Sequence, residues 1–215
     1  GENSENIYYY LTVYNEPYVQ PAEPENLDVE GLLKGIYLFQ QGPKQRKKVA
    51  QILASGVGMN WALKAAKLLE SDWGVSASVW SVTSWNELRR DGLAVDRHNF
   101  LNPSDQRTAY VAKKLANAEG PVIAVSDYMR AVQDQIAPWV SQDFTSLGTD
   151  GFGLSDTRGA LRRHFKVDAE SIVIATLAAL AKSGDVKAGV VQEAINKYQI
   201  NDINAADPGN TEGSG

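Results

Sequence analysis

The chain has 215 residues, of which 43% are hydrophobic and 22% charged. That is enough for one large domain or two small ones, and it excludes disorder as the dominant state. Its 26 acids against 21 bases leave a net charge of −5, which disfavours a general nucleic-acid binder that neutralises phosphates and leaves only a local basic patch open. With no cysteine and only two histidines, His98 and His164, disulfide scaffolds, thiolate sites, cysteine nucleophiles and multi-histidine metal sites are excluded.

No apolar run approaches the ~20 residues of a membrane span, so no membrane partner is expected. The longest, Ile172 to Ala181, is followed at once by Lys182. The opening Gly-Glu-Asn-Ser-Glu-Asn has neither a basic n-region nor an initiator Met. It does not read as a signal peptide, and the chain is expected to begin inside a larger protein.

In chain order, Ile7 to Val13 is rich in β-branched and aromatic residues and reads as a strand. Pro17, Pro21 and Pro24 follow closely and forbid a helix, so residues 14–30 read as an extended linker, with the main domain starting near Gly31. Gly35 to Gln40 and Val49 to Ala54 read as strands. The basic cluster Lys44, Arg46, Lys47 and Lys48 between them reads as a solvated hairpin loop, with an anionic contact as the alternative. Asn60 to Asp72 is a helix with Trp61, Ala62, Ala65, Ala66 and Leu69 on one face. Val75 to Val82 is a strand of alternating character.

Ser84-Trp85-Asn86-Glu87 has capping-box spacing and opens a short helix expected to stop at Gly92. His98 is then expected in a polar loop. Helices are expected over Thr108 to Ala116, Tyr128 to Ile136 and Asp156 or Thr157 to Phe165, and strands over Pro121 to Val125 and Phe144 to Gly148. Ala169 to Lys182 is apolar almost all round and reads as a buried helix, capped by Asp168 and ended by Gly184. Lys187 to Tyr198 is amphipathic, and the polar tail from Asn201 is expected to fray. The alternation predicts an α/β layered domain with a largely parallel sheet.

Two glycine-rich segments are candidate binding loops. Ser55-Gly56-Val57-Gly58 resembles the opening of a dinucleotide fingerprint, but Trp61 stands where the third glycine belongs, so it reads as a tight structural turn, with an anion site as the alternative. Gly148-Thr149-Asp150-Gly151-Phe152-Gly153 marks a backbone that needs positive φ or close approach. It suits a ligand, an interface, or a folded turn in which Asp150 bonds its own backbone. Neither histidine has a nucleophile motif beside it, and Glu23 and Glu25 sit in the connector without fixed geometry. No catalytic constellation closes.

Several segments together resemble one family. They are Asn6 to Thr12 with Asn15 and Glu16, Gly31 to Tyr37, Val79 to Gly92, Ser126 to Met129, and above all Leu147 to Arg158 with Phe165 to Ala169. From about Glu5 to Ile200 the chain looks like the C-terminal part of the homodimeric bacterial pyruvate dehydrogenase first component, the thiamine-dependent decarboxylating subunit. The resemblance implies a three-layer, transketolase-like C-terminal domain over 31–200. Residues 1–13 would be the tail of a preceding pyrimidine-binding domain, 14–30 the linker and 201–215 a flexible tail.

The resemblance also implies a parent that decarboxylates pyruvate with thiamine diphosphate and magnesium and passes an acetyl group to the lipoyl group of an acyltransferase component, in the bacterial cytoplasm. The family's Gly-Asp-Gly with a following Asn is missing, because Asp150-Gly151-Phe152-Gly153 lacks the Asn spacing. No catalytic, cofactor or metal residue is therefore assigned, and the segment is expected to bind no cofactor and to be inactive alone. Its implied role is to support a homodimer and the packing of its own polypeptide, with Asn15, Glu16, Thr149, Asp150, Phe152, Ser155 and Asp156 nearest an interface. Two alternatives stand. One is a module docking the acyltransferase component through Lys44 to Lys48 or Glu23 to Glu30. The other is the same domain from another thiamine enzyme, transketolase or 2-oxoglutarate dehydrogenase.

Overall fold

Five short apolar runs pair into one sheet. β1 (Tyr37–Gln40), β2 (Val49–Ala54), β3 (Ser76–Ser81), β4 (Val122–Val125) and β5 (Phe144–Leu147) lie in the order β1-β3-β2-β4-β5. All neighbours are parallel except β1, which runs antiparallel to β3 with a bulge between Leu38 and Gln40. The structure, a computed structural model, describes residues 17–206 together with Asn6, Tyr8, Tyr9, Leu11 and Val13.

Helices cover both faces, as a mostly parallel sheet requires. On one side, Ala50, Ile52, Ala54, Ala77, Val79, Ile123 and Val125 pack against α2 (Gly58–Trp73), α7 (Ala169–Lys182) and α8 (Ala188–Lys197). On the other, Leu53, Trp80, Val122 and Ala124 meet α3 (Trp85–Leu101), α4 (Tyr110–Leu115) and the segment through Ile136 and Val140. The architecture is the expected three-layer α/β domain. β3 is buried on both faces over Ser76 to Trp80, which is why its sequence alternates only weakly. Among the described residues no helix is long and apolar enough to cross a membrane.

Helix ends follow their capping chemistry. Asp28 accepts from Gly31 N at 2.9 Å and opens α1 (Val29–Lys34), so the expected boundary at residues 30 and 31 falls inside a helix; its carboxylate also pairs with Lys114. Between 17 and 28 there is neither helix nor strand. Asp168 accepts from Ser171 N at 3.0 Å at the start of α7 and pairs with the buried Arg163 at the end of α6 (Arg158–His164). Arg163 also reaches the carbonyls of Tyr198 and Gln199 at 3.2 and 3.3 Å, tying the end of α8 to α6.

Three local expectations are corrected. First, the segment between β1 and β2 is no hairpin, because β3 lies between them and pairs with both. Second, α3 opens as expected, with Ser84 Oγ accepting from Glu87 N at 3.1 Å, but it runs through Gly92 to Leu101. A Cβ at Gly92 would sit 2.4 Å from the Trp139 ring, so the glycine is there for close approach and not as a stop. Third, His98 consequently lies within α3, its Nε2 2.9 Å from the carbonyl and 3.0 Å from the carboxylate of Asp105.

Of the expected strand Ile7 to Val13, Ile7, Tyr10 and Thr12 lie outside the described residues. Tyr8, Tyr9, Leu11 and Val13 belong to no strand and are exposed. In the tail, Ile203–Ala205 forms a single 3-10 turn, and residues 207–215 lie outside the described region.

Candidate domain interface at the carboxyl edge of the sheet

Because β2, β4 and β5 are parallel, the loops that follow them emerge at one edge. These are Ser55 to Gly58, Ser126 to Met129, and the stretch from Gly148 to Asp156. The geometry therefore brings both glycine-rich segments to the same side of the molecule.

The loop after β2 is built as a turn. Gly58 N donates to Ser55 O at 3.1 Å, and Ser55 Oγ is occupied by the Trp85 indole N–H at 3.0 Å. The Trp61 ring lies under the Arg162 guanidinium, 4.7 Å from ring centroid to carbon, on the side of α6. The indole that breaks the fingerprint is spent on helix packing.

The loops after β4 and β5 are laced together. Ser126 Oγ accepts from Tyr128 N at 3.1 Å, Thr149 N donates to Tyr128 O at 2.9 Å, and the Thr149 hydroxyl donates to Asp127 O. A Cβ on Gly148 would lie 2.4 Å from Tyr128 O, so the two loops meet only because that residue is glycine. Gly151 supplies a φ of +84°, whereas Gly153 needs neither freedom.

Asp150 does not fold back on its own backbone. Its carboxylate accepts from Arg130 N at 2.9 Å and Arg130 Nε at 2.6 Å, pinning the loop to the first residue of α5 (Arg130–Asp134). The Arg130 hydrogen bonds hold the Asp150 carboxyl below the usual carboxylate range. Beneath the loop, the fully buried Gln133 donates to Leu147 O at 3.2 Å.

What this scaffold presents outward is apolar. Phe152 is 96% exposed, and Tyr128, Met129 and Leu154 are exposed near it in sequence. Phe152 is thus a large aromatic held in water on a loop pinned by Asp150 and Arg130. Ser155 and Asp156 continue the loop, exposed, into α6, where Asp156 Oδ1 accepts from Thr157 N at 2.7 Å and Thr157 caps the helix by accepting from Ala160 N at 3.3 Å. Thr149, Asp150, Phe152, Ser155 and Asp156 thus share one loop, while Asn15 and Glu16 lie outside the described residues. Sequence reasoning missed Arg130; the signal was a cation two residues after Tyr128, but its partner is twenty positions on. His164 is exposed against Phe165 on α6, and His98 is on the opposite face of the sheet, so the two histidines do not meet.

Residues 35–168 match the family model of the transketolase-like TK C-terminal domain. The chain belongs to that family. The chain is also 58% identical over 207 residues to a pyruvate dehydrogenase E1 component from Mycolicibacterium smegmatis, covering 96% of this chain and 22% of that protein. Over 215 residues it is 55% identical to the protein of the same name from Mycobacterium tuberculosis, covering 97% and 23% respectively. The Escherichia coli protein of that name is 44% identical over 202 residues, covering 93% and 22%. The chain thus spans less than a quarter of the length of these relatives. A crystal structure of transketolase from Pichia stipitis superposes with a TM-score of 0.51 at 22% identity, covering 77% of this chain and 20% of that chain. That likeness shows a shared fold: the transketolase-like C-terminal domain is the one seen here.

Proposed function

We propose that this transketolase-like domain is the C-terminal part of a pyruvate dehydrogenase first component, and that it holds the dimer and packs the catalytic domains. The observation that carries the reading is identity of 44–58% to proteins of that name along more than nine-tenths of the chain. In such a parent, thiamine diphosphate supplies the carbanion chemistry that removes carbon dioxide from pyruvate.

The residues present here do not fit that cofactor. Among the described residues no group of three His, Cys, Asp or Glu side chains could hold magnesium, and the Asp150 carboxylate is committed to Arg130. We therefore assign the cofactor to other domains of a longer polypeptide. Residues 1–13 and 14–30 would be the tail and linker joining the domain, 31–200, to them, and 201–215 a tail.

In this reading the chain's own contribution is surface. Asn15, Glu16, Thr149, Asp150, Phe152, Ser155 and Asp156 face a second copy or the neighbouring domain, with Phe152 as the apolar anchor. The parent acts in the bacterial cytoplasm beside the acyltransferase component that accepts its acetyl group. Isothermal titration of the chain with thiamine diphosphate and magnesium checks the division of labour. No saturable heat is expected, and micromolar binding would overturn it.

A further inference from the structure

The opposite edge of the sheet carries a feature that the packing role does not use. The face covered by α3 and α4 is apolar over Leu53, Trp80, Val122 and Ala124, but at the amino ends of β2 and β3 it turns polar. Gln51, Ser76 and Ser78 are only 6%, 5% and 5% exposed. α4 ends at Leu115, and segment 41–46 lines the space above these residues instead. An open cavity of about 440 Å³ results, in the size range of small-molecule sites. β1 runs antiparallel to its neighbour β3, so its carboxyl end and the segment that follows it lie at this edge.

The floor is fixed and rich in donors. Gln51 donates to Glu119 O at 2.8 Å and accepts from the Trp80 indole at 2.8 Å, which locks its orientation. Ser78 Oγ accepts from Gly42 N and from Gln41 Nε2, each at 3.0 Å, leaving its proton without an acceptor among the described residues. The Ser76 hydroxyl lines the cavity and makes no hydrogen bond among the described residues, so it is open to water or a ligand. Both hydroxyls line the open cavity and can donate to the oxygens of an occupant.

The rim is cationic. Lys44, Arg46 and Lys114 line the cavity, against one carboxylate, Glu119. Lys44 has no carboxylate partner among the described residues, and Arg46 is 3.8 Å from Glu70 with both side chains about half exposed, a pairing worth little. Lys114 is held by Asp28. Lys44, and Arg46 with its loose exposed pairing, are therefore the cations left to an anionic occupant above a floor of hydroxyl donors.

We propose that this cavity binds a small phosphorylated metabolite. Lys44 and Arg46 neutralise the phosphate, and Ser76 and Ser78 donate to the oxygens of its body. The site is independent of the pyruvate dehydrogenase reading, because it rests on the cavity alone.

The test is nuclear magnetic resonance of the full chain titrated with ribose 5-phosphate, read at the Trp80 indole N–H in the cavity wall. Ribose, inorganic phosphate and an octaglutamate peptide are run beside it. A saturable shift with ribose 5-phosphate, weaker binding of inorganic phosphate and none of ribose are expected. The double variant Lys44→Gln, Arg46→Gln changes two exposed side chains and should weaken binding at least about tenfold while leaving the rest of the spectrum in place. No saturable shift, equal binding by the variant, or tighter binding of octaglutamate would each overturn the proposal, the last by giving the site to an acidic protein segment.

Discussion

At the residue scale, the clearest electrostatic device joins α8 to α2. The Tyr198 hydroxyl donates to Asp72 Oδ2 at 2.7 Å and accepts from the Trp73 indole N–H at 2.9 Å, and Lys197 Nζ lies 2.8 Å from the same carboxylate. Lys197, and after it Tyr198, hold the Asp72 carboxyl below its ordinary value. Burial, reinforced by Asp72, pushes the Tyr198 phenol up.

The two shifts act at opposite ends of the pH scale. A depressed carboxyl contributes stability that is full above its unfolded value near ~4 and is lost as pH falls through the folded value. A raised phenol contributes stability that is full below ~10 and is lost as pH rises towards the folded value. Urea melts across pH should therefore show both limbs. Asp72→Asn should flatten the acid limb, and Tyr198→Phe should flatten the basic one at a cost of about 1 kcal/mol at neutral pH. Unchanged limbs would remove the network's role. Local sequence pattern carries no sign of this network, because Asp72 and Tyr198 are 126 positions apart.

At the scale of elements, α3 is the instructive case. Gly92 costs the helix about 1 kcal/mol relative to alanine by propensity, so a surface reading predicts that Gly92→Ala stabilises. The Trp139 ring, 2.4 Å from where the alanine methyl would sit, reverses the sign. Overpacking should destabilise the domain by about 2 kcal/mol in urea melts; a gain in stability would show that the indole simply moves aside.

The same helix shows what local pattern can carry. Its start is readable from Ser84 and Glu87, because a cap acts within one turn. Its end is not, because the partner that demands glycine, Trp139, is far along the chain beyond β4. The run of β1 followed by β2 likewise looks like a hairpin because nothing between them reveals that β3 inserts between the two. Strand and helix identities survive because each rests on its own periodicity, and α7 is buried as its apolar surround implies. In the candidate interface the glycine spacing is readable, whereas the Arg130–Asp150 tie that fixes the loop is not.

At the scale of the whole molecule, a three-layer α/β domain is joined to a segment whose described residues Tyr8, Tyr9, Leu11 and Val13 leave apolar side chains in water. At the carboxyl edge of the sheet, Phe152 does the same on a pinned loop. Apolar surface of this kind is stabilised by cover, which in the proposed reading comes from neighbouring domains or a second copy. This makes Phe152 the point where the packing role is most exposed to failure. The most direct measurement is sedimentation velocity of the full-length parent carrying Phe152→Ala. Loss of a buried aromatic anchor predicts a dimer at least about tenfold weaker, with the fold of the domain unchanged. A dimer of unaltered strength would contradict the interface assigned to this loop.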